Sequence, residues 1–162
     1  MVKVYLLLGS NLGDRLFLLK QAAGYIETQA GTIVQYSSIY ETKSWGKTDE
    51  PDYLNQVLLI NTMLQPHELL AKLLEIELLL GRKREEKWGS RTMDIDILFY
   101  DDMIINEPGL TVPHPQLHNR RFTLEPLVEL APNFIHPVLQ KALKKLKDDL
   151  QDELQVKKYI FE

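Results

Sequence analysis

The chain has 162 residues, a formal charge of −4 and 44% hydrophobic residues, a balance that suits one domain with a full-sized core. It contains no cysteine, which excludes a disulfide framework, a thiolate zinc site and a thiol nucleophile. The acidic balance argues against nucleic acid as a partner, and the N-terminal apolar run (Val4 to Leu8) is too short for a signal peptide or a membrane span, so a cytoplasmic protein with no membrane partner is expected.

Taken in chain order, residues 2–8 read as a buried strand and "GSNLGD" (9–14) as the turn into a helix over 15–29, with Leu16, Leu19, Ala23 and Ile26 on one face. Residues 32–41 and 53–62 are β-rich, and the segment between them, containing "TKSWGKTDEP", is a loop long enough to carry function. Pro66 opens a second helix as a first-turn proline, with Leu69, Leu70, Leu73, Ile76 and Leu80 as its apolar stripe and Gly81 as its stop. "RKREEKWGSR" (82–91) holds five cations against two acids, so an anion site is expected there. "RTMDIDILFYD" (91–101) reads as the last strand of a β-α-β-β-α-β order, the ferredoxin-like α+β arrangement. A C-terminal helical annex follows, comprising "VPHPQLHNRRF", a helix around 123–131, and "QKALKKLKDDLQDEL", read as a solvated amphipathic surface helix.

Asp94 and Asp96 are the anomaly in this pattern. A charge inside a buried strand costs several kcal/mol unless something compensates it. Residues i and i+2 of a strand point the same way, roughly 6.5–7 Å apart, so the two carboxylates face together while Ile95 and Ile97 face oppositely. Such a pair can share Mg²⁺, whose remaining ligands are usually water and phosphate oxygens. Arg82, Arg84 and Arg91 precede it, and metal with arginine is the usual equipment of phosphoryl transfer. Tyr53 and Asn55 repeat the i, i+2 geometry and offer a stacking ring and a two-sided amide, suited to a flat nitrogen-rich heterocycle. His114 lies between prolines near Arg120 and Arg121, whereas His67, His118 and His136 read as surface residues. "GSNLGD" lacks the ending of a P-loop and the third glycine of a dinucleotide fingerprint, so it reads as a tight turn. On residues alone, pyrophosphoryl transfer is barely separated from nucleotidyl transfer at the α-phosphorus. A ferredoxin-like RNA-binding module with Tyr53 and Trp88 as stacking aromatics is opposed by the acidic balance and the two aspartates.

Together, "KWGSRTMDIDIL" (87–98), "GSNLGDR" (9–15), "PDYLNQV" (51–57) and "VPHPQLHNRRF" (112–122) resemble the 6-hydroxymethyl-7,8-dihydropterin pyrophosphokinases of folate biosynthesis. The likeness runs in order from residue 4 to about 137. It implies a ferredoxin-like core, usually monomeric, with loops closing over ATP and the pterin, and transfer of pyrophosphate from ATP to the pterin hydroxymethyl group. It further implies two Mg²⁺ ions on Asp94 and Asp96, with Arg82, Arg91 and Asp96 serving catalysis. The pterin would meet Asn55, Tyr53, Phe122 and backbone near Thr42 and Trp45. ATP would meet Arg82, Arg84, Trp88, Arg91, His114 and Arg120, with adenine near Ile97 and Thr111 and ribose near Glu77. Lys43, Trp45, Leu74 and Gly109 depart from residues common in that family.

Overall fold

The computed structural model describes residues 1–43, 52–81, 92–152 and 155–159. β1 (Val2–Ser10) is the centre of the architecture, pairing antiparallel with β4 (Tyr53–Thr62) on one side and β5 (Asp94–Tyr100) on the other. The six-stranded sheet has the order β5-β1-β4-β3-β8, where β3 is Tyr40–Thr42 and β8 is Val156–Lys158, with β2 (Thr32–Tyr36) also on β4. Every pairing in it is antiparallel.

Helices cover one face. α1 (Arg15–Gln29) begins where the Asp14 carboxylate accepts the Phe17 N–H at 3.2 Å, and it buries Leu19, Ala22, Ala23 and Ile26. α2 (Pro66–Leu79) combines a proline in its first turn with a Gln65–Glu68 capping box, in which the Gln65 N–H donates to Glu68 Oε1 at 3.0 Å. Its stripe Leu69, Leu73 and Ile76 is buried, and Gly81 leaves the helix at φ +94°. These faces meet Val4, Leu6, Leu8, Leu54, Leu58, Ile60, Ile95 and Ile97 to form the first core. Among the described residues no helix is long and apolar enough to cross a membrane.

The opposite face carries a 3-10 turn (Leu117–Asn119), α3 (Arg121–Leu130) and α4 (Leu143–Asp148). Leu7, Val57, Leu98 and Phe99 of the sheet pack there against Leu117, Leu124, Leu127, Leu143 and Leu146. A register shift in the β1–β5 pairing leaves Leu98 without a Cα partner, and both Leu98 and Phe99 enter this second core. β6 (Ile105–Glu107) and β7 (Leu110–Val112) form a separate hairpin, with Gly109 at φ +81° between them.

Three sequence expectations change. The single strand over 32–41 is broken at Ser37 and Ser38, and β3 (Tyr40–Thr42) starts afresh. Glu129 of α3 causes the break to be tolerated: it accepts the Ser38 N–H at 3.0 Å, the Ser38 hydroxyl at 3.0 Å and the Tyr40 hydroxyl at 2.6 Å. Burial and this carboxylate together hold the Tyr40 phenol above its ordinary pKa. The second change is at the C-terminal end, where the expected long surface helix over 140–154 contracts to the six residues of α4. Its Leu143 and Leu146 are core residues, and β8 (Val156–Lys158) then pairs with β3.

The third change is His136, which is buried rather than a surface residue; His67 is exposed and pairs with Glu107, and His118 is half-buried. His136 Nδ1 accepts the N–H groups of Val138 and Leu139, both at 3.1 Å, and its ring packs on Phe99. Burial, and then the neighbouring His118, lower its pKa to about 4. Between the ordinary value near 6.5 and about 4, the unfolded chain binds the proton and the folded chain does not. Stability is therefore expected to fall as pH drops through that window, by up to about 1.4 kcal/mol per pH unit from this group. Urea unfolding of wild type and His136→Asn at pH 7, 6 and 5 checks it: the substitution should flatten the slope, and equal slopes would assign the acid sensitivity to other groups.

Candidate functional site

The pairing of β1 with both neighbours lines up residues from three strands. Gly9 stands opposite Asn55 on β4 and opposite Asp94 on β5, and Leu7 stands opposite Val57 and Asp96. Asp94 and Asp96 are both half-buried, whereas Ile95 between them and Ile97 just after them are buried in the first core. The alternation read from the sequence is thus realised: two carboxylates face away from α1 and α2.

They look into a hollow of about 550 Å³. Its floor is Leu7, Gly9, Tyr53, Asn55, Asp94 and Asp96, with Thr42 and Lys43 along one side. Asn119, Arg120, Phe122 and Asp152 form the opposing wall. The Arg120 guanidinium lies 5.5 Å from the centre of the Phe122 ring, within cation–π range. Asn55 is 4% exposed, and its Nδ2 donates to the Leu8 carbonyl at 3.4 Å while Oδ1 has no partner; the buried Thr42 hydroxyl also lacks one. Buried polar atoms without partners are uncommon and cost about 1–3 kcal/mol each, and these two belong to residues that line the same hollow.

A second hollow of about 270 Å³ is lined by Leu70, Ile95, Asp96, Ile97, Gly109, Leu110, Thr111, His114 and Pro115. Asp96 lines both hollows. His114 is anchored by its N–H donating to the Leu98 carbonyl at 3.0 Å. Its Nδ1 accepts the Gln116 N–H at 3.1 Å, which leaves Nε2 as the protonated nitrogen of the neutral ring. Burial, and then the Arg120 charge, push its pKa below the ordinary value, so it is a neutral donor at pH 7.

The structure sorts the sequence-predicted residues into groups. Thr42, Tyr53, Asn55, Phe122, Arg120, Asp94 and Asp96 come together in the first hollow, and Ile97, Thr111 and His114 in the second. Glu77 sits on α2 behind β5, 3% exposed, where its carboxylate accepts the Ile95 N–H at 2.7 Å. Trp45, Arg82, Arg84, Trp88 and Arg91 lie outside the described residues. Among the described residues, no three His, Cys, Asp or Glu side chains converge as a metal cage.

Four residues lining the larger hollow are not among the sequence-predicted site residues: Leu7, Gly9, Asn119 and Asp152. For Gly9 a signal exists, since Tyr5, Leu7 and Gly9 share one strand face, but the strand expected over 2–8 stops two residues short of Ser10, where β1 ends. For Asp152 there was none. Its carboxylate accepts the Arg121 N–H at 2.9 Å across 31 residues, at the start of the helix that carries Phe122. Arg15 was also missed; its guanidinium donates to the Asp52 carbonyl at 2.6 Å and to Glu41 at 3.3 Å, tying α1 to β3 and to the residue before β4.

The family model for 7,8-dihydro-6-hydroxymethylpterin-pyrophosphokinase matches residues 5–132. The 2-amino-4-hydroxy-6-hydroxymethyldihydropteridine pyrophosphokinase of Aquifex aeolicus is 45% identical over 149 residues, 92% of each chain. The enzyme of the same name from Bacillus subtilis is 45% identical over 127 residues, 78% of this chain and 76% of its own. Among solved structures, a Plasmodium falciparum HPPK-DHPS crystal structure superposes with a TM-score of 0.74 at 20% identity, over 91% of this chain and 44% of that longer one. At that identity the likeness concerns the fold.

Glu77 generates a prediction here. Replacing it with alanine removes the acceptor for a buried N–H at the start of β5, so Glu77→Ala should lose about 1–3 kcal/mol of stability in urea unfolding. Glu77→Gln, which keeps an oxygen acceptor, should recover most of it. Unchanged stability with a loss confined to nucleotide affinity would instead make Glu77 a ligand-contacting group.

Proposed function

The chain belongs to the 7,8-dihydro-6-hydroxymethylpterin-pyrophosphokinase family, and on that premise we propose that its two hollows are the alcohol and nucleotide subsites of pyrophosphoryl transfer from ATP. The observation that carries this reading is Asp96, which lines both hollows and stands beside Asp94 on one strand face. The acceptor is 6-hydroxymethyl-7,8-dihydropterin, and the products are the pterin diphosphate and AMP. The reading extends to the architecture: the order of β5, β1 and β4, with β2 and β3 beyond β4, supports a ferredoxin-like core with a helical annex in one domain.

The first hollow suits the pterin. Asn55 and Thr42 supply polar atoms still lacking partners, and Tyr53 and Phe122 supply rings for the faces of a flat heterocycle. The smaller hollow, with Ile97, Thr111 and neutral His114, takes the nucleoside end and the first phosphate. Two carboxylates with, among the described residues, no third His, Cys, Asp or Glu converging on them fit Mg²⁺, a hard cation that leaves most of its shell to water and phosphate. Asp94 and Asp96 would hold two such ions, which when bound supply positive charge to the triphosphate. Arg82, Arg84, Arg91 and Arg120 add guanidinium donors in this reading, with Trp88 as a further ATP contact and Trp45 backbone as a further pterin contact.

The chain's own contribution is positioning and charge. With the ring fixed at Asn55, the hydroxymethyl oxygen approaches the β-phosphorus. Its attack forms the new O–P bond, the bond from the β-phosphorus to the α,β-bridging oxygen breaks, and AMP departs with that oxygen. Asp96, common to both hollows, would receive the hydroxyl proton in this reading.

Two measurements test this. With Mg-ATP and the dihydropterin alcohol, AMP and pterin diphosphate should form in equal amounts, with β- and γ-label both passing to the pterin. ADP as the nucleotide product would mean simple kinase chemistry, and free pyrophosphate with an adenylylated pterin would mean nucleotidyl transfer. Asp94→Asn and Asp96→Asn should each lower kcat by at least about 10²-fold while the thermal shift given by Mg-ATP shrinks. Turnover within a factor of about ten of wild type would remove the carboxylates from the reaction.

A further inference from the structure

Asp94, Gly9 and Asn55 occupy one row across three neighbouring strands, and the middle member has no side chain. With adjacent strands about 4.8 Å apart, the Cα atoms of Asp94 and Asn55 are separated by roughly 10 Å of bare backbone. A Cβ built on Gly9 would stand 2.7 Å from Asn55 Nδ2, closer than real Cβ contacts come. The next nearest atoms, Asn55 Cγ and the Leu54 carbonyl oxygen, lie at an ordinary 3.9 Å. The glycine is buried, lines the larger hollow and has an unremarkable φ, so backbone conformation does not demand it. What demands it is the amide beside it.

We propose that Gly9 is a specificity-determining position: its missing side chain lets the Asn55 amide lie flat toward β1 and leaves an open floor along which the acceptor's arm reaches the carboxylates. This deepens the reading of the larger hollow as the pterin subsite and rests on it. Asn55 Nδ2 is tied to the Leu8 carbonyl, one residue from Gly9, and that bond fixes the amide, whose buried Oδ1 has no partner, in a residue that lines the hollow. Any side chain at residue 9 displaces Nδ2, breaks that bond and rotates Oδ1 away. The same side chain fills the strip between the amide and Asp94, where a hydroxymethyl group must pass if the ring stays on Asn55. The effect therefore runs through Asn55 and falls on the acceptor rather than on the nucleotide.

The test is a double-mutant cycle of Gly9→Ala and Asn55→Ala, read by calorimetric affinity for the dihydropterin alcohol and, separately, for Mg²⁺ with a non-hydrolysable ATP analogue. Gly9→Ala should weaken acceptor binding at least about tenfold and leave the analogue within about twofold. In the Asn55→Ala background, the same change should cost at least about threefold less than in the wild type, because the amide it displaces is gone and only the obstruction of the strip remains. Wild-type acceptor affinity in Gly9→Ala, an undiminished loss in the Asn55→Ala background, or equal losses of both ligands would overturn the proposal. If Gly9→Ala fails to fold, the double variant must fold, since the single close contact has been removed; a double variant that also fails would overturn it as well. Normal acceptor affinity in Asn55→Ala alone would instead refute the pterin reading of the hollow, and the proposal with it.

Discussion

The register of β1 between β4 and β5 is the constraint on which everything else in this molecule depends. It sets Asp94, Gly9 and Asn55 in one row and Asp96, Leu7 and Val57 in the next. A slip of one residue would turn the carboxylates toward α1 and α2 and turn Ile95 and Ile97 to the site. The first core prevents that slip, because Leu6, Leu8, Leu54, Leu58, Ile95 and Ile97 all have to be buried on the same side. The apolar packing behind the sheet thus determines where the charges in front of it stand.

The second layer determines where the front face is left open. α3 and α4 cover the sheet where it presents Leu7, Val57, Leu98 and Phe99, and that cover stops at the row that presents Asp94, Gly9 and Asn55. Burying carboxylates under a helix would carry a desolvation cost that no leucine contact offsets. α3 is held over this boundary from both ends. Glu129 fastens its last turn to Ser38 and Tyr40, and Asp152 accepts the Arg121 N–H at its first. The strand held by the first fastening carries Thr42, and the helix end held by the second carries Phe122, so both fastenings position the walls of the larger hollow.

Charge around the site is divided by function. The described floor is acidic through Asp94 and Asp96, the wall carries Arg120, and His114 is neutral beside that arginine. The densest basic segment of the chain, residues 82–91, joins α2 to the acidic strand. In the proposed reading, cations that Asp94 and Asp96 would hold and the guanidinium groups would together supply positive charge to an anionic triphosphate, which is how phosphoryl transfer is accelerated without a strong protein base.

The sequence by itself determined the strands 2–8 and 53–62, both long helices and the acidic strand, because those signals are local: period-two and period-3.6 apolar patterns, a first-turn proline, a terminating glycine. It also determined that Asp94 and Asp96 share a face, since strand geometry alone requires it. The i, i+2 pair Tyr53 and Asn55 was legible for the same reason. What only the tertiary structure decided depends on contacts between distant segments. The break at Ser37 and Ser38 exists because Glu129, 91 residues away, satisfies the Ser38 N–H. His136 and the leucines of α4 are buried because α3 leaves the second core open to them, whereas the lysines between those leucines read as surface. Gly9 looked like the beginning of a turn and is the middle of the site's floor, because its meaning lies in the two strands beside it, which pattern along one strand does not report.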